Sequence, residues 1–208
     1  VTVLTNGTWN VTISDSKCCT FTTSFNITHP AVITVPITQI DVSCNGGSNG
    51  QATVTAAGGV LPYTYLWNDP APAQSTSIAT GLTAGTWTVT VTDANGCSKT
   101  TPVTITEPVI LNVTTTQTNV SCNGGSTGQA IATATGGTTA YTYLWNDPAP
   151  AQSTSTATGL TNGTWNVTVT DSKGCTFTTS VNITQPAALT VSTTQTDISC
   201  NGGSNGQA

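Results

Sequence analysis

The sequence predicts an all-β chain built from tandem copies of a small two-sheet sandwich, on three observations. In Gly85–Asp93, Trp87, Val89 and Val91 fall on one face and Thr86, Thr88, Thr90 and Thr92 on the other, the period-two pattern of a half-buried strand. The same stretch returns from Gly7 and from Gly163, so Trp9, Trp87 and Trp165 stand 78 residues apart. Glycine-rich turns punctuate the intervals: Cys44-Asn45-Gly46-Gly47-Ser48-Asn49-Gly50, Gly58-Gly59, and Asp93-Ala94-Asn95-Gly96.

The elements follow in order. Residues 1–30 read as the end of one unit, with strands around Thr8–Ile13 and Thr20–Ile27 and a turn at Asp15–Lys17. Thr28-His29-Pro30 is a joint that returns as Thr106-Glu107-Pro108 and Thr184-Gln185-Pro186; proline stiffens it by fixing φ and biasing its predecessor to extended geometry. The first complete unit is 31–108. Its first strand, Ile33–Val42, is interrupted by Pro36, the mark of an edge or a switch between sheets. Gln51–Ala56, Tyr63–Trp67, Ser75–Thr80, Thr86–Thr92 and Ser98–Ile105 read as further strands, and Asn68–Gln74 is a proline-stiffened loop with room for one very short strand. Seven or so short strands in 78 residues describe an immunoglobulin-like β-sandwich, and copies joined head to tail describe a rod or filament. The unit 109–186 matches the first without a gap at about two thirds of positions, and 187–208 opens a third; the chain reads as a window on a longer array.

Three lysines, no arginine, eight acids and one histidine leave a formal charge of −5. A phosphate-neutralising or lipid-headgroup surface needs clustered cations, so neither a nucleic-acid partner nor membrane-surface binding is expected. No apolar run reaches the length of a membrane span, so no membrane insertion is expected either, and nothing resembles a signal peptide. Regularly placed Thr, Val, Ile, Trp and Tyr argue against disorder. Solubility falls to hydroxyl groups.

Candidate sites each have a structural alternative. Trp67 and Trp87 with Tyr65, and Trp145 and Trp165 with Tyr143, could form sugar-stacking platforms; their alternating positions favour the sandwich core. Asn68, Asp69, Pro70 and Pro72, matched by Asn146, Asp147, Pro148 and Pro150, lie in an identical loop that either presents a contact surface or bridges the two sheets. Asp41, Asp69 and Asp93 sit in three different turns, and Asn119 replaces the first in the second unit, which argues against a calcium cage. No metal or cofactor is expected. A Lys–Asn cross-link is disfavoured because Lys99 aligns with Phe21 and Phe177, and the sequons at Asn6 and Asn166 are expected by chance in so threonine-rich a chain. His29 has no matching nucleophile, and no pair of carboxylates has catalytic spacing, so no enzyme is expected.

Six of the seven cysteines are locked to the repeat: Cys44, Cys122 and Cys200 in one series, Cys19, Cys97 and Cys175 in the other. With no Cys-x-x-Cys and a lone histidine, the pattern points to disulfides and an oxidising compartment rather than to metal.

Taken in order, Cys-Asn-Gly-Gly-Ser-x-Gly-Gln-Ala, Gly-Gly, Tyr-Thr-Tyr-Leu-Trp and Gly-Leu-Thr-x-Gly-Thr-Trp-x-Val-Thr-Val-Thr-Asp-x-x-Gly-Cys, carried at 44–97 and 122–175, resemble the SprB-type repeat of large surface adhesins of gliding Bacteroidota. The resemblance implies an extracellular, cell-surface filament exported by the type IX route. It implies other repeats of the same chain as partners, with neighbouring filaments or substratum polysaccharide beyond them. A carbohydrate-binding array and spacers of a polysaccharide-degrading enzyme are the alternatives. Cys18 departs from the pattern, since Gly96 and Gly174 stand at its place and cysteine adopts a left-handed turn poorly; it is either a local variant or a doubtful assignment.

Two disulfide patterns remain open. Pairing within a unit joins Cys44 to Cys97 and Cys122 to Cys175. An odd strand number would instead put Cys44 and Cys97 at opposite poles and favour a staple across the joint, Cys44 to Cys175, with Cys19, Cys97, Cys122 and Cys200 pairing elsewhere in the array. An even number would restore the within-unit pairing.

Overall fold

The computed structural model describes residues 3–69, 72–147 and 150–208. Its strands are β1 (Gly7–Ser14), β2 (Thr20–Ile27), β3 (Ile37–Ile40), β4 (Gly50–Val54), β5 (Thr64–Trp67), β6 (Ile78–Leu82), β7 (Gly85–Thr92), β8 (Ser98–Ile105), β9 (Asn112–Thr118), β10 (Gly128–Thr135), β11 (Thr142–Trp145), β12 (Thr156–Leu160), β13 (Gly163–Thr170) and β14 (Thr176–Ile183). Among the described residues there is no helix. The chain divides into two compact units, Val1–Glu107 and Pro108–Ala208.

Within the first unit, residues 31–107 form two three-stranded antiparallel sheets, β3-β4-β6 and β5-β7-β8. That is six strands, not the expected seven. No strand forms among the described residues of the 68–74 loop, and Pro70 lies outside them. Strict alternation of six strands would return the chain to the pole where it began. It does not, because β5 and β6 run the same way. The amide of Val42, just past β3, bonds the Thr106 carbonyl just past β8, so these strands end at one pole. β4 is antiparallel to β3 and to β6, while β7 is antiparallel to β8 and to β5. Thus β3, β5, β6 and β8 share one direction. The chain therefore comes in at an incoming pole and leaves at an outgoing pole, although the strand number is even.

Between the sheets lie Ile33, Val35, Val42, Ala52, Val54, Trp67, Ala79, Leu82, Val89, Val91, Val103 and Ile105. Trp67 is 1% exposed and its indole nitrogen donates to the Thr76 carbonyl, which satisfies the one polar atom that burial would strand. Trp87 is only half-buried. β5 ends where Trp67 pairs Val89, so the first residues of β7 extend beyond it, and the Trp87 indole donates to the Thr83 carbonyl at the rim. On the outer face of the sheet, threonine hydroxyls pair across strands, as in Thr90 with Thr100 at 2.9 Å.

The second unit repeats the design with sheets β9-β10-β12 and β11-β13-β14. One difference is traceable to a single residue. β3 has four residues and β9 has seven. Pro36 has no amide to donate and breaks the first edge strand, leaving Thr34 in an isolated bridge to Ala57; Thr114 stands at the matching place and β9 runs through. β1 and β2 form a hairpin in the register of β7 and β8, with no second sheet paired to it among the described residues. There the same alternation leaves Val11 43% and Ile13 64% exposed, whereas Val89 and Val91 are sealed.

Trp67→Ala is expected to cost about 3–5 kcal/mol through the cavity it opens, while Leu66→Ala at the neighbouring, 58% exposed position stays within about 1 kcal/mol. Denaturant unfolding followed by circular dichroism checks the contrast.

Candidate functional site

The chemistry-bearing residues gather in three places in each unit: the turn at the outgoing pole, the turn at the incoming pole, and the loop between β5 and β6.

At the outgoing pole, Cys44 lies in the glycine-rich turn after β3. Two acceptors tie this region to the chain leaving β8. Asp41 accepts from the Thr106 amide at 2.8 Å, and Glu107 accepts from the Gly46 amide at 2.6 Å. In the second unit Asn119 accepts from Thr184 at 3.0 Å and Gln185 from Gly124 at 2.8 Å. The Asp-to-Asn and Glu-to-Gln exchanges are therefore neutral in role: each position needs an oxygen, not a charge. Their place in the Pro-marked joint gives positions 107 and 185 no local signal of this reach back to the turn.

At the incoming pole, Cys97 lies in the β7–β8 hairpin, held by Asp93. That carboxylate is 6% exposed and accepts from the amides of Asn95 and Cys97, both at 2.9 Å, and of Val60 at 3.0 Å. Burial alone raises its pKa, but the backbone amides of Val60, Cys97, Asn95 and Gly96 outweigh it and hold the group below the ordinary value of 3.8. Asp171 repeats this with Thr138, Lys173 and Cys175. Gly59 completes the clamp. It has φ +62°, and an added Cβ would lie 2.7 Å from the Asp93 Oδ2. Strand-ending turn chemistry was legible at Asp93; its burial, and its reach to Val60 across the unit, were not. At the corresponding hairpin of β1 and β2, Cys18 takes φ 63° where Gly96 has 81° and Gly174 has 83°, so the variant residue carries the left-handed turn despite its side chain. A cleft of about 290 Å³ opens beside Cys97, lined by His29, Ile33 and Lys99 among others. At the place of Lys99 the second unit has Phe177, which packs against its core.

The described residues of the loop from 68 to 74 tie β7 to β6 through their side chains. Asn68 accepts from the Thr88 amide at 2.6 Å, extending the pairing of β7 past the end of β5. Asp69 accepts from the Gln74 amide at 2.9 Å and from its side-chain nitrogen at 2.8 Å, while Gln74 clasps both the amide and the carbonyl of Thr80 in β6. Asn146, Asp147 and Gln152 repeat the network. Burial raises the Asp69 and Asp147 carboxyls, and the glutamine donors more than offset it, so both end below the ordinary value. Pro72 and Pro150 are exposed; Pro70 and Pro148 lie outside the described residues. With Trp67 and Trp145 each 1% exposed, neither indole is open for a sugar to stack on.

The cysteines differ in state. Cys44 and Cys175 are disulfide-bonded, whereas Cys18, Cys19, Cys97, Cys122 and Cys200 are exposed free thiols. Among the described residues no three His, Cys, Asp or Glu side chains converge as a metal site would require.

Because Asp93 and Asp171 have folded pKa values below the unfolded one, their contribution is complete above about pH 3.8 and is lost as pH falls through the lower folded value. Asp93→Asn with Asp171→Asn is expected to lower stability at neutral pH, with the gap closing in acid; denaturant midpoints measured across the acid range check this. Asp41→Asn, which copies Asn119, is expected to be silent, whereas Asp41→Ala costs about 1 kcal/mol by the same measurement.

The SprB repeat family model matches residues 37–72 and 114–150. Each match ends within the β5–β6 or β11–β12 loop, so Trp87 and Cys97, with their counterparts, lie outside it. No curated protein matches the chain. Among solved structures, similarity is found to an amphioxus IgVJ-C2 molecule, at 16% identity and TM-score 0.31 over 61% of this chain and 91% of that one. It is also found to the N-terminal four Ig domains of Dscam1 isoform 6.9, at 11% and 0.35 over 82% of this chain and 52% of that one. Domains 7, 8 and 9 of the S-layer protein SbsC match at 14% and 0.28, over 88% and 72%. These likenesses are remote, and the all-β, two-sheet fold rests on the strand pairing itself. Two regions of the chain thus match the SprB repeat model, each set in an all-β, two-sheet module.

Proposed function

We propose that this chain is a structural segment of a secreted, cell-surface filamentous adhesin, supporting surface attachment and gliding motility. The observation that carries this reading is the passage of each unit from one pole to the other, which lets copies follow one another head to tail. The SprB repeats support the surface setting. The side chains best suited to bind a ligand, Asn68, Asp69 and Gln74, are engaged in holding the two sheets together, which favours a mechanical role over a chemical one. In this role the units act as spacers that hold an adhesive element away from the cell. The hydrogen-bonded ladders resist pulling, and the Pro-marked joints limit bending. Other repeats of the same chain are the primary partners, and neighbouring filaments or substratum polysaccharide are contacted along the way. Type IX export fits this setting.

Antiserum raised against the 208-residue chain is expected to label intact cells of its source and to arrest their attachment and gliding. Labelling that appears only after lysis overturns the surface role, and labelling without arrest overturns the motility role. If the chain itself binds polysaccharide, and Pro72→Ala with Pro150→Ala abolishes that binding while leaving the fold intact, the carbohydrate-binding array takes its place.

A further inference from the structure

We infer that the cleft beside Cys97 and Lys99 is a binding site for a small aromatic carboxylate, one ring bearing a single acid group. The cleft lies within the first unit, and the inference does not depend on the adhesin role.

The second unit shows what kind of group fits there. Lys99 is paired with Val91 across β7 and β8, and Phe177 with Val169 across β13 and β14. Residues directly opposed in an antiparallel pair send their side chains to the same face, and Val91 and Val169 are both sealed in a core. Positions 99 and 177 therefore leave from the inner faces of their sheets, at the incoming end. In the second unit the side chain there is a phenyl ring, packed against the core. In the first it is a flexible stem ending in a charge, and alongside it opens the cleft of about 290 Å³, lined by Pro30, Ala31, Val32 and Ile33. That volume is at the small end for a ligand pocket and suits one ring rather than a sugar chain.

Both walls are fixed before a ligand arrives. The Gly59 amide donates to the Ala31 carbonyl at 2.7 Å, and Thr34 and Ala57 exchange two backbone bonds just beyond. Opposite, the Cys97 amide donates to the Asp93 carboxylate and the Cys97 carbonyl accepts from the Asp93 amide, both at 2.9 Å. A slot held in this way needs little ordering on binding.

Charge selects the acid. Asp93 also lines the cleft, but it is 6% exposed and its oxygens already accept from the amides of Val60, Asn95 and Cys97. Lys99 therefore supplies the charge that a ligand meets. The His29 ring, held by its own bond to the Pro30 carbonyl at 2.8 Å, is the other lining group able to carry positive charge. A ring against the apolar wall and a carboxylate on the ammonium satisfy this lining together.

The test is titration of the 208-residue chain with phenylacetate, followed by amide NMR. Saturable shifts at Ile33, Gly59 and Lys99 are expected, with acetate (no ring) and benzylamine (opposite charge) each about tenfold weaker or more. Absence of saturable shifts at these positions, or equal binding of either control, overturns the inference. Lys99→Phe copies Phe177, a residue that the same fold already accommodates, and is expected to abolish binding by filling the slot. Lys99→Gln leaves the slot open and is expected to weaken phenylacetate about tenfold without weakening benzylamine. Binding unchanged by both substitutions overturns the inference, as do equal shifts at Leu111, Gly137 and Phe177. Failure here leaves the surface and motility tests untouched.

Discussion

The structure depends on one constraint, that the chain must cross from one sheet to the other between β5 and β6 without reversing direction. Six strands that simply alternated would begin and end at the same pole. The loop after Trp67 meets this constraint with its own polar groups. The Trp67 amide bonds the Gln74 carbonyl, Asn68 completes the pairing of β7, and Gln74 fastens the returning chain to Thr80. The Trp67 indole anchors the same crossing from inside the core. Both units use the same loop residues for these bonds.

A second theme is how the chain manages with so little charge. The module ties its ends with single acceptors to backbone amides. These bonds need an oxygen of the right reach, which is why Asp41 and Asn119 exchange freely, as do Glu107 and Gln185. Asp93 and Asp171 are different: several amides converge on a buried carboxylate, a setting in which the ionised form is favoured. The hydroxyl pairs of Thr90–Thr100 and Thr168–Thr178 do on the outer face what cross-strand ion pairs do elsewhere. Acceptor clamps also lie in the turns that carry Cys44 and Cys97.

Much of the architecture was legible because it is written in local patterns. Alternation along 85–92 marked a strand with one buried face, and paired glycines at 58 and 59 marked a turn that the left-handed backbone and the nearby Asp93 indeed demand. The interruption at Pro36 was equally clear, and Thr114 provides its control within the same chain. Trp87 shows where local pattern falls short. Its place in the alternation points inward, but it is half-buried because β5 stops short of it, and the length of a neighbouring strand is not encoded at position 87.

The sequence by itself determined the repeat, the strand faces, the turns and the cysteine series, because these follow from side-chain size, period and backbone freedom at each position. Only the tertiary structure decided that β5 and β6 run in parallel, that Asp93 is buried, and that Cys44 and Cys97 occupy opposite poles. Burial itself belongs to that second class: Trp87 and Val91 stand in the same pattern, yet one is half-buried and the other sealed. Whether an apolar face becomes core depends on a second sheet lying over it, and that sheet is built from residues far away along the chain.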